Sequence, residues 1–547
     1  MRNLRVLLAS IVFAPASVVA YTWPDRAYDV IEEFLWKDRN TFLEVPEPCS
    51  EDTIGQQSTS AAWLRTAYHD AATANVAAGT GGLDGSIFYE TARAENVGDS
   101  IASSVSQFVS FYGRYISYAD VVAAGAVVAV QNCGGPNIPF RSGRITAPEA
   151  GPSGVPLPTD SLRSQTAAFA RQGFTAKEMI GLVACGHTMG GVDNEDFPDI
   201  NPNVGVASFD HTVYFDNNIA TTYFNGTTID PLISGPATSN SDARIFASDG
   251  NVTMRSFAHS QDTFFSTCAS LLERMINTVP KEVRLSEPIV AIPFKPRDYL
   301  LSLLPDGTIN LGVTVDIFGP NVISSTRVVT MHWNDRDSHR CASKACSALP
   351  VSQEANAPLA KRNGNELQAY TFSVNATTAA SFSSFWFTVD EDGTGRNVVT
   401  ENNGGGNYPV DDLLLLVPQY TCQGYLNGNL NITGRITVAI RSSVTPSAVT
   451  LESASFGVNG QPIPQIFDGP AAIGTSPALS PSPDYVYYTG LVPGPIQANG
   501  CSTQMEYSAT IDGVVHPGQI LYSGCTSRAS TRLPESTCEY CGFPCTS

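Results

Sequence analysis

Residues 63–70, WLRTAYHD, place an arginine, a tyrosine and a histidine at i, i+3 and i+4. On a helix that spacing brings Arg65, Tyr68 and His69 to one side. A guanidinium, an aromatic ring and a titratable imidazole facing one cavity can stabilise developing charge and move a proton on a bound reactant. The same residues also suit a solvated helix face, and alone they do not decide. A second segment, residues 174–191 (FTAKEMIGLVACGHTMGG), runs apolar at helical spacing into His187, which glycines flank. An imidazole in so apolar a setting must bond something. One reading is a satisfied core histidine; the other is an axial metal ligand whose second nitrogen donates to a carboxylate. Asp242, in NSDARIFASD, is the candidate carboxylate.

Residues of this kind need rigid elements to hold them. Residues 26–36, 61–76, 118–130, 176–183 and 263–277 carry apolar positions three and four apart, so helices are expected through the first half. Near residue 285 the pattern changes to short alternating or β-branched runs, such as 308–318 (TINLGVTVDIF), 366–374 and 436–440, separated by Gly, Pro, Asn and Ser clusters. The expected fold class is a multidomain chain, a mainly α domain followed by a β-rich, sandwich-like region. Its expected boundaries are 21–285 for the helical domain and 286–547 for the β-rich region, with one or two domains in the latter. The stretches 402–407 (NNGGGN) and 474–484 read as loops.

The chain has 547 residues, with 31 Lys+Arg against 51 Asp+Glu, a net charge of −20. Such an acidic excess without a basic cluster repels phosphate backbones and anionic lipid surfaces, so neither nucleic acid nor membrane is an expected partner. Residues 1–20 (MRNLRVLLASIVFAPASVVA) carry two arginines, an apolar stretch and small residues at Val19 and Ala20, the pattern of a removable secretory leader. The expected location is therefore secreted and extracellular. Twelve cysteines fit that compartment as disulfides. The closely spaced Cys538, Cys541 and Cys545 lack the second ligand pair that zinc would want. Sequons at Asn225, Asn251, Asn375 and Asn431 permit glycosylation.

Taken in order, RxxYHD, GGLDGS, AENVG, ACGHT, FDHTVYFD and NSDARIFASD resemble the plant, fungal and bacterial haem peroxidase superfamily, and most closely its secreted fungal class II members. The resemblance covers roughly residues 21–285. It implies haem b, with His187 as the iron ligand and Asp242 as the acceptor of its hydrogen bond. It implies His69 as the distal base, Arg65 as the distal cation and Tyr68 as the distal aromatic, where the family more often has Phe or Trp. Asn96 would orient His69, with the backbone of Glu90 behind it. The implied activity is reduction of hydrogen peroxide to water through a ferryl intermediate, with small aromatic reductants giving up one electron at a time. Calcium is implied at Asp70, Gly82, Asp84 and Ser86. A second cation site is implied at Thr188, Asp210, Thr212 and Asp216, in a loop one residue shorter than usual. One disulfide is implied between Cys49 and Cys133, whereas Cys185 has no family partner and reads as a buried free thiol.

Some family features do not carry over. Where manganese-oxidising relatives have three carboxylates, this chain has Ser58, Ala62 and Gly186, and where lignin-oxidising relatives have a surface Trp it has Leu182. The β-rich region is extra. Its DYVYY run at 484–488 suits strand-core packing, with polysaccharide contact through Tyr485, Tyr487 and Tyr488 as the competing reading. A monomer is expected. Two rival functions are a non-catalytic extracellular binding or adhesion protein, and a zinc hydrolase using His69, Asp70 and His187. The first leaves the two histidines, Arg65, Asn96 and Asp242 without purpose; the second leaves Arg65 and Asp242 without tasks.

Overall fold

The computed structural model describes residues 21–37, 49, 58–109, 111–337, 346–355, 364–426, 431–455, 462–474, 482–493, 496–497 and 504–522. The leader and the Cys538/Cys541/Cys545 group lie outside the described residues. No helix among the described residues is long and apolar enough to cross a membrane. The chain is a helical N-terminal part followed by a β-rich region with several sheets.

The helices are α1 (Arg26–Glu32), α2 (Thr59–Ala71), α3 (Asp99–Phe108), α4 (Tyr118–Asn132), α5 (Leu162–Arg171), α6 (Ala176–Gly186), α7 (Asn218–Asn225), α8 (Pro231–Ser234), α9 (Ser241–Phe246), α10 (Val252–His259) and α11 (Gln261–Ile276). Their ends follow local chemistry. Helix α2 begins where the Ser58 hydroxyl accepts from the Ala61 amide at 3.2 Å. It stops five residues short of the expected end because the Thr73 hydroxyl takes the Asp70 carbonyl at 2.8 Å and the chain turns. Helix α4 is buried almost throughout, which suits its run of small and β-branched residues. Gly125 on α4 leaves room for the Phe108 ring, and that ring in turn lies 4.9 Å from Trp63. This packing of α2, α3 and α4 fixes the helix that carries Arg65 and His69.

Two disulfides brace these helices, Cys49–Cys133 and Cys185–Cys268. The second corrects the reading of Cys185 as a free thiol. Helices α6 and α11 pack side by side, and Cys268, on the buried face of α11, stands 5.5 Å from Cys185 between Cα atoms. That is ordinary disulfide spacing, although the 83 residues between the two conceal it in the sequence.

In the β-rich region one long sheet serves two cores. Leu415 and Ala439 face a core built with Val328–Asn334 and Ser384–Asp390. Leu414, Leu416, Val438 and Ile440 face a second core built with Ala448–Ser455 and Gln504–Ile511. Alternate residues of a strand point to opposite faces, so a strand between two layers must be apolar at every position, as Leu414–Leu416 is. Tyr485 is buried in the first core, with Tyr487 partly buried beside it, and Tyr488 packs against the second.

The two parts interlock through the N-terminal segment. Trp23 is buried in the first β core, donates to the Pro296 carbonyl at 3.1 Å, and packs against Tyr299, Phe385 and Tyr408. Just beyond it, the buried Glu32 pairs with Lys37 at 2.9 Å and with Lys295 of the long sheet. Arg26 and Tyr115 both reach Glu506 at 2.8 Å. Trp23→Ala is therefore expected to cost about 3–5 kcal/mol, read as a lower midpoint in urea unfolding with the helical and β signals moving together.

Candidate active site

The site is built from the ends of α2 and α6. Helix α6 starts at a capping box, in which Thr175 accepts from the Glu178 amide at 3.3 Å and Glu178 accepts from the Thr175 amide at 2.8 Å. It ends at His187, whose amide donates to the Val183 carbonyl at 2.9 Å. The ring of His187 then meets the fully buried Asp242, with Nδ1 2.6 Å from Oδ2. A carboxylate can only accept, so Nδ1 carries the proton and Nε2 keeps a lone pair. Phe209 stacks on the ring at 4.4 Å, and the Ser241 hydroxyl donates to the other oxygen of Asp242 at 3.1 Å.

On α2, His69 is paired in the same sense, its Nδ1 2.8 Å from the Asn96 amide oxygen. Asn96 is set by donating from Nδ2 to the Glu90 carbonyl at 3.0 Å. This orientation again leaves Nε2 as the acceptor. Burial, then the charge of Arg65, push the His69 pKa from 6.5 down to about 3, against the opposing pull of Asn96. Arg65 donates to the Ser100 hydroxyl at 2.7 Å and to the Val97 carbonyl at 3.0 Å, and lies over the Phe197 ring. Tyr68 stacks on Phe169 and forms wall.

His69, Arg65, Tyr68, His187 and Asp242 all line one cavity of about 230 Å³. Leu64, Phe169, Met189, Leu232, Ile245 and Met275 give it apolar sides. An apolar slot with an unengaged imidazole lone pair suits a flat, hydrophobic, iron-bearing macrocycle. Leu182 is buried and lines the cavity instead of standing at the surface.

Some of the oxygen-bearing residues named for cation binding are hydrogen-bonded to one another. Asp70 accepts from the amides of Gly85 at 2.8 Å and Ile87 at 2.9 Å, and Asp84 from the amide of Ser86 at 3.1 Å. Burial and the charge of Asp84 push the Asp70 carboxyl well up, and burial raises Asp84. Asp70 and Asp84 are thus two buried carboxylates close enough for their charges to act on each other; among the described residues no group of three or more His, Cys, Asp or Glu side chains gathers as it would around a metal ion. On the other side of the site, Thr212 donates to Asp216 at 2.9 Å and Thr188 to the Asp216 carbonyl at 2.6 Å. Asp210 keeps one buried oxygen without a partner, and burial with the Asp216 charge raises its pKa to about 6. Asp70 does not line the cavity and its oxygens are taken up by the 85–87 loop, so His69, Asp70 and His187 do not converge as a zinc triad.

Sequence reading missed Phe209, although it opens the FDHTVYFD motif, and Asp230. Asp230 is fully buried, and burial with the charge of Asp242 pushes its carboxyl well up. It missed Gln165, Asp193 and Asp196 of the cavity wall as well. Nothing in their spacing marks them, because Gln165 on α5 and the Asp193/Asp196 segment after α6 meet only in the fold.

Residues 49–260 match the sequence model of the family described as Peroxidase. Together with the ascorbate peroxidase relatives below, this match supports a peroxidase-superfamily domain within the helical part. Among its relatives, a WSC domain-containing protein of Arthroderma benhamiae is 38% identical over 322 residues, 56% of this chain and 44% of the relative. The peroxisomal L-ascorbate peroxidase 5 of Arabidopsis thaliana is 34% identical over 144 residues, 26% of this chain and 51% of the relative. The cytosolic L-ascorbate peroxidase 2 of the same plant is 37% identical over 130 residues, 23% of this chain and 51% of the relative. The chain thus spans about half the length of the curated relatives it matches.

The depressed His69 pKa has a stability consequence. Between pH 6.5 and about 3 the unfolded chain binds a proton at His69 that the folded chain refuses, so stability falls as the pH falls through that window, by up to about 1.4 kcal/mol per unit. His69→Gln is expected to flatten that slope when unfolding free energies are measured by urea titration between pH 6 and 4.

Proposed function

We propose that this protein is a secreted, haem-dependent peroxidase that reduces hydrogen peroxide and oxidises small aromatic donors one electron at a time. The observation that carries this reading is the pair of imidazoles on one apolar cavity, each with Nδ1 pinned to an acceptor and Nε2 left as a base or ligand. His187 Nε2 would hold the haem iron, between the apolar walls already named. When bound, haem supplies an open coordination position for peroxide and a reservoir for single electrons.

The chain's own groups handle protons and charge. His69 Nε2 takes the proton from one peroxide oxygen and delivers it to the other, which departs as water. Asn96 keeps Nδ1 protonated, so Nε2 is always the working nitrogen. Arg65 offers fixed positive charge where negative charge grows as the O–O bond breaks. Asp242, by holding the Nδ1 proton of His187, enriches Nε2 in electron density. Two donors then each give one electron, and phenolic donors also one proton, so that one peroxide yields two waters. Ser58, Ala62 and Gly186 offer no carboxylate cage for Mn²⁺.

The leader at 1–20 and the two disulfides support export to an oxidising compartment. Exposed sequons at Asn225 and Asn375 support glycosylation there. The Asp70/Asp84 set supports one calcium ion, and the Asp210/Asp216 set a second cation.

The purified protein is expected to show a Soret band that His187→Ala abolishes or shifts; a colourless wild type would end this reading. His69→Leu is expected to slow the reaction with peroxide about 10²–10⁴-fold in stopped flow. In the wild type that rate should hold constant from neutral pH and fall tenfold per unit only below about 3, where His69 protonates. Chelation of calcium should lower the melting temperature, and Asp84→Asn should remove most of that response.

A further inference from the structure

The cavity wall carries more acidic than basic side chains. Glu95, Asp193 and Asp196 all line it against one Lys/Arg side chain, Arg65, which donates to Ser100 and Val97 and whose charge is felt by Asp196, so three carboxylates face one cation. The carboxylates are held in place. Glu95 accepts from the Gly154 amide at 3.0 Å, and Asp193 from the Glu195 amide at 3.0 Å. Asp196 lies against Gly98, where a side chain would collide with it and where φ is +112°.

An independent feature points the same way. Gln165 lines the cavity, is 2% exposed, and donates from Nε2 to the Leu157 carbonyl at 3.3 Å, leaving its buried Oε1 with no partner. Turning the amide over would set two oxygens against each other, so Oε1 is the free end. The wall therefore offers acceptors and negative charge.

We propose that the cavity selects cationic aromatic donors bearing O–H or N–H groups over anionic ones. This rests on the peroxidase reading and narrows its donor. Each donor molecule loses one electron and its phenolic proton to become a phenoxyl radical, and two of them reduce one hydrogen peroxide to two waters.

Tyramine, 4-hydroxyphenylethanol and 4-hydroxyphenylacetate share one phenol ring and differ in side-chain charge. With the holoenzyme at neutral pH and low salt, kcat/KM for tyramine is expected about tenfold above the neutral alcohol, and the acid about tenfold below it. Calorimetric binding should rank them alike, and about 0.5 M salt should shrink the ratios to under about twofold. Asp193→Asn and Asp196→Asn should each at least halve the tyramine-to-alcohol ratio. Equal efficiencies, preference for the acid, or ratios that ignore salt would overturn the proposal while oxidation of the neutral alcohol left the peroxidase reading standing. A protein with no Soret band and no reaction with any of the three defeats that reading itself. If the band is present without turnover, the calorimetric ranking decides.

Discussion

The His187–Asp242 bond constrains the rest of the helical part. A fully buried carboxylate is costly unless something donates to it, and Asp242 obtains its donors from His187 at 2.6 Å and Ser241 at 3.1 Å. To make that bond, α6 must end at residue 187 and α9 must begin at residue 241, with the intervening chain packed around them. Phe209 covers the imidazole, and the Cys185–Cys268 bridge ties α6 to α11 two residues before His187. Asp230, close to Asp242, is pushed toward its protonated form first by burial and then by that same charge.

The distal side solves the matching problem with a neutral acceptor. Asn96 fixes the His69 tautomer as Asp242 fixes that of His187, but an amide adds no charge, and beside Arg65 the imidazole stays a weak, uncharged base. The two histidines thus differ by their second partners. One is made electron-rich and suited to binding a metal; the other is kept free to accept a proton.

Much of this was legible because the motifs are local. Arg65, Tyr68 and His69 share a helix face by spacing alone, and the apolar run that ends at His187 announces α6. The alternation of residues 308–318 and 366–374 marks strands that the structure extends by one to three residues. What escaped depends on distant parts of the chain meeting. Cys185 looked unpaired because its partner is 83 residues away on a helix whose register the sequence does not display. Gln165, Asp193 and Asp196 look like ordinary surface residues until α5 and the loop after α6 converge on one cavity. The full burial of residues 414–416 becomes explicable only when both faces of the long sheet are seen to be covered.

The N-terminal segment was the least legible part and is the one that joins the two regions. Tyr21 and Trp23 precede the first helix in sequence yet pack with the first β core, and Trp23 binds a carbonyl 273 residues away. Glu32, five residues before the end of the α1–π segment that closes with Glu33–Lys37, is buried between Lys37 and Lys295, so Lys295 loses its carboxylate partners Glu32 and Asp29 if the regions separate. Removing one member of such a buried set leaves the others uncompensated, which makes separation of the regions unfavourable even though each has its own hydrophobic core. The β-rich region is therefore part of what keeps the α1–π segment against the helical bundle, through Phe34 on Phe111 and Phe111 on Trp63, six residues before His69 on α2.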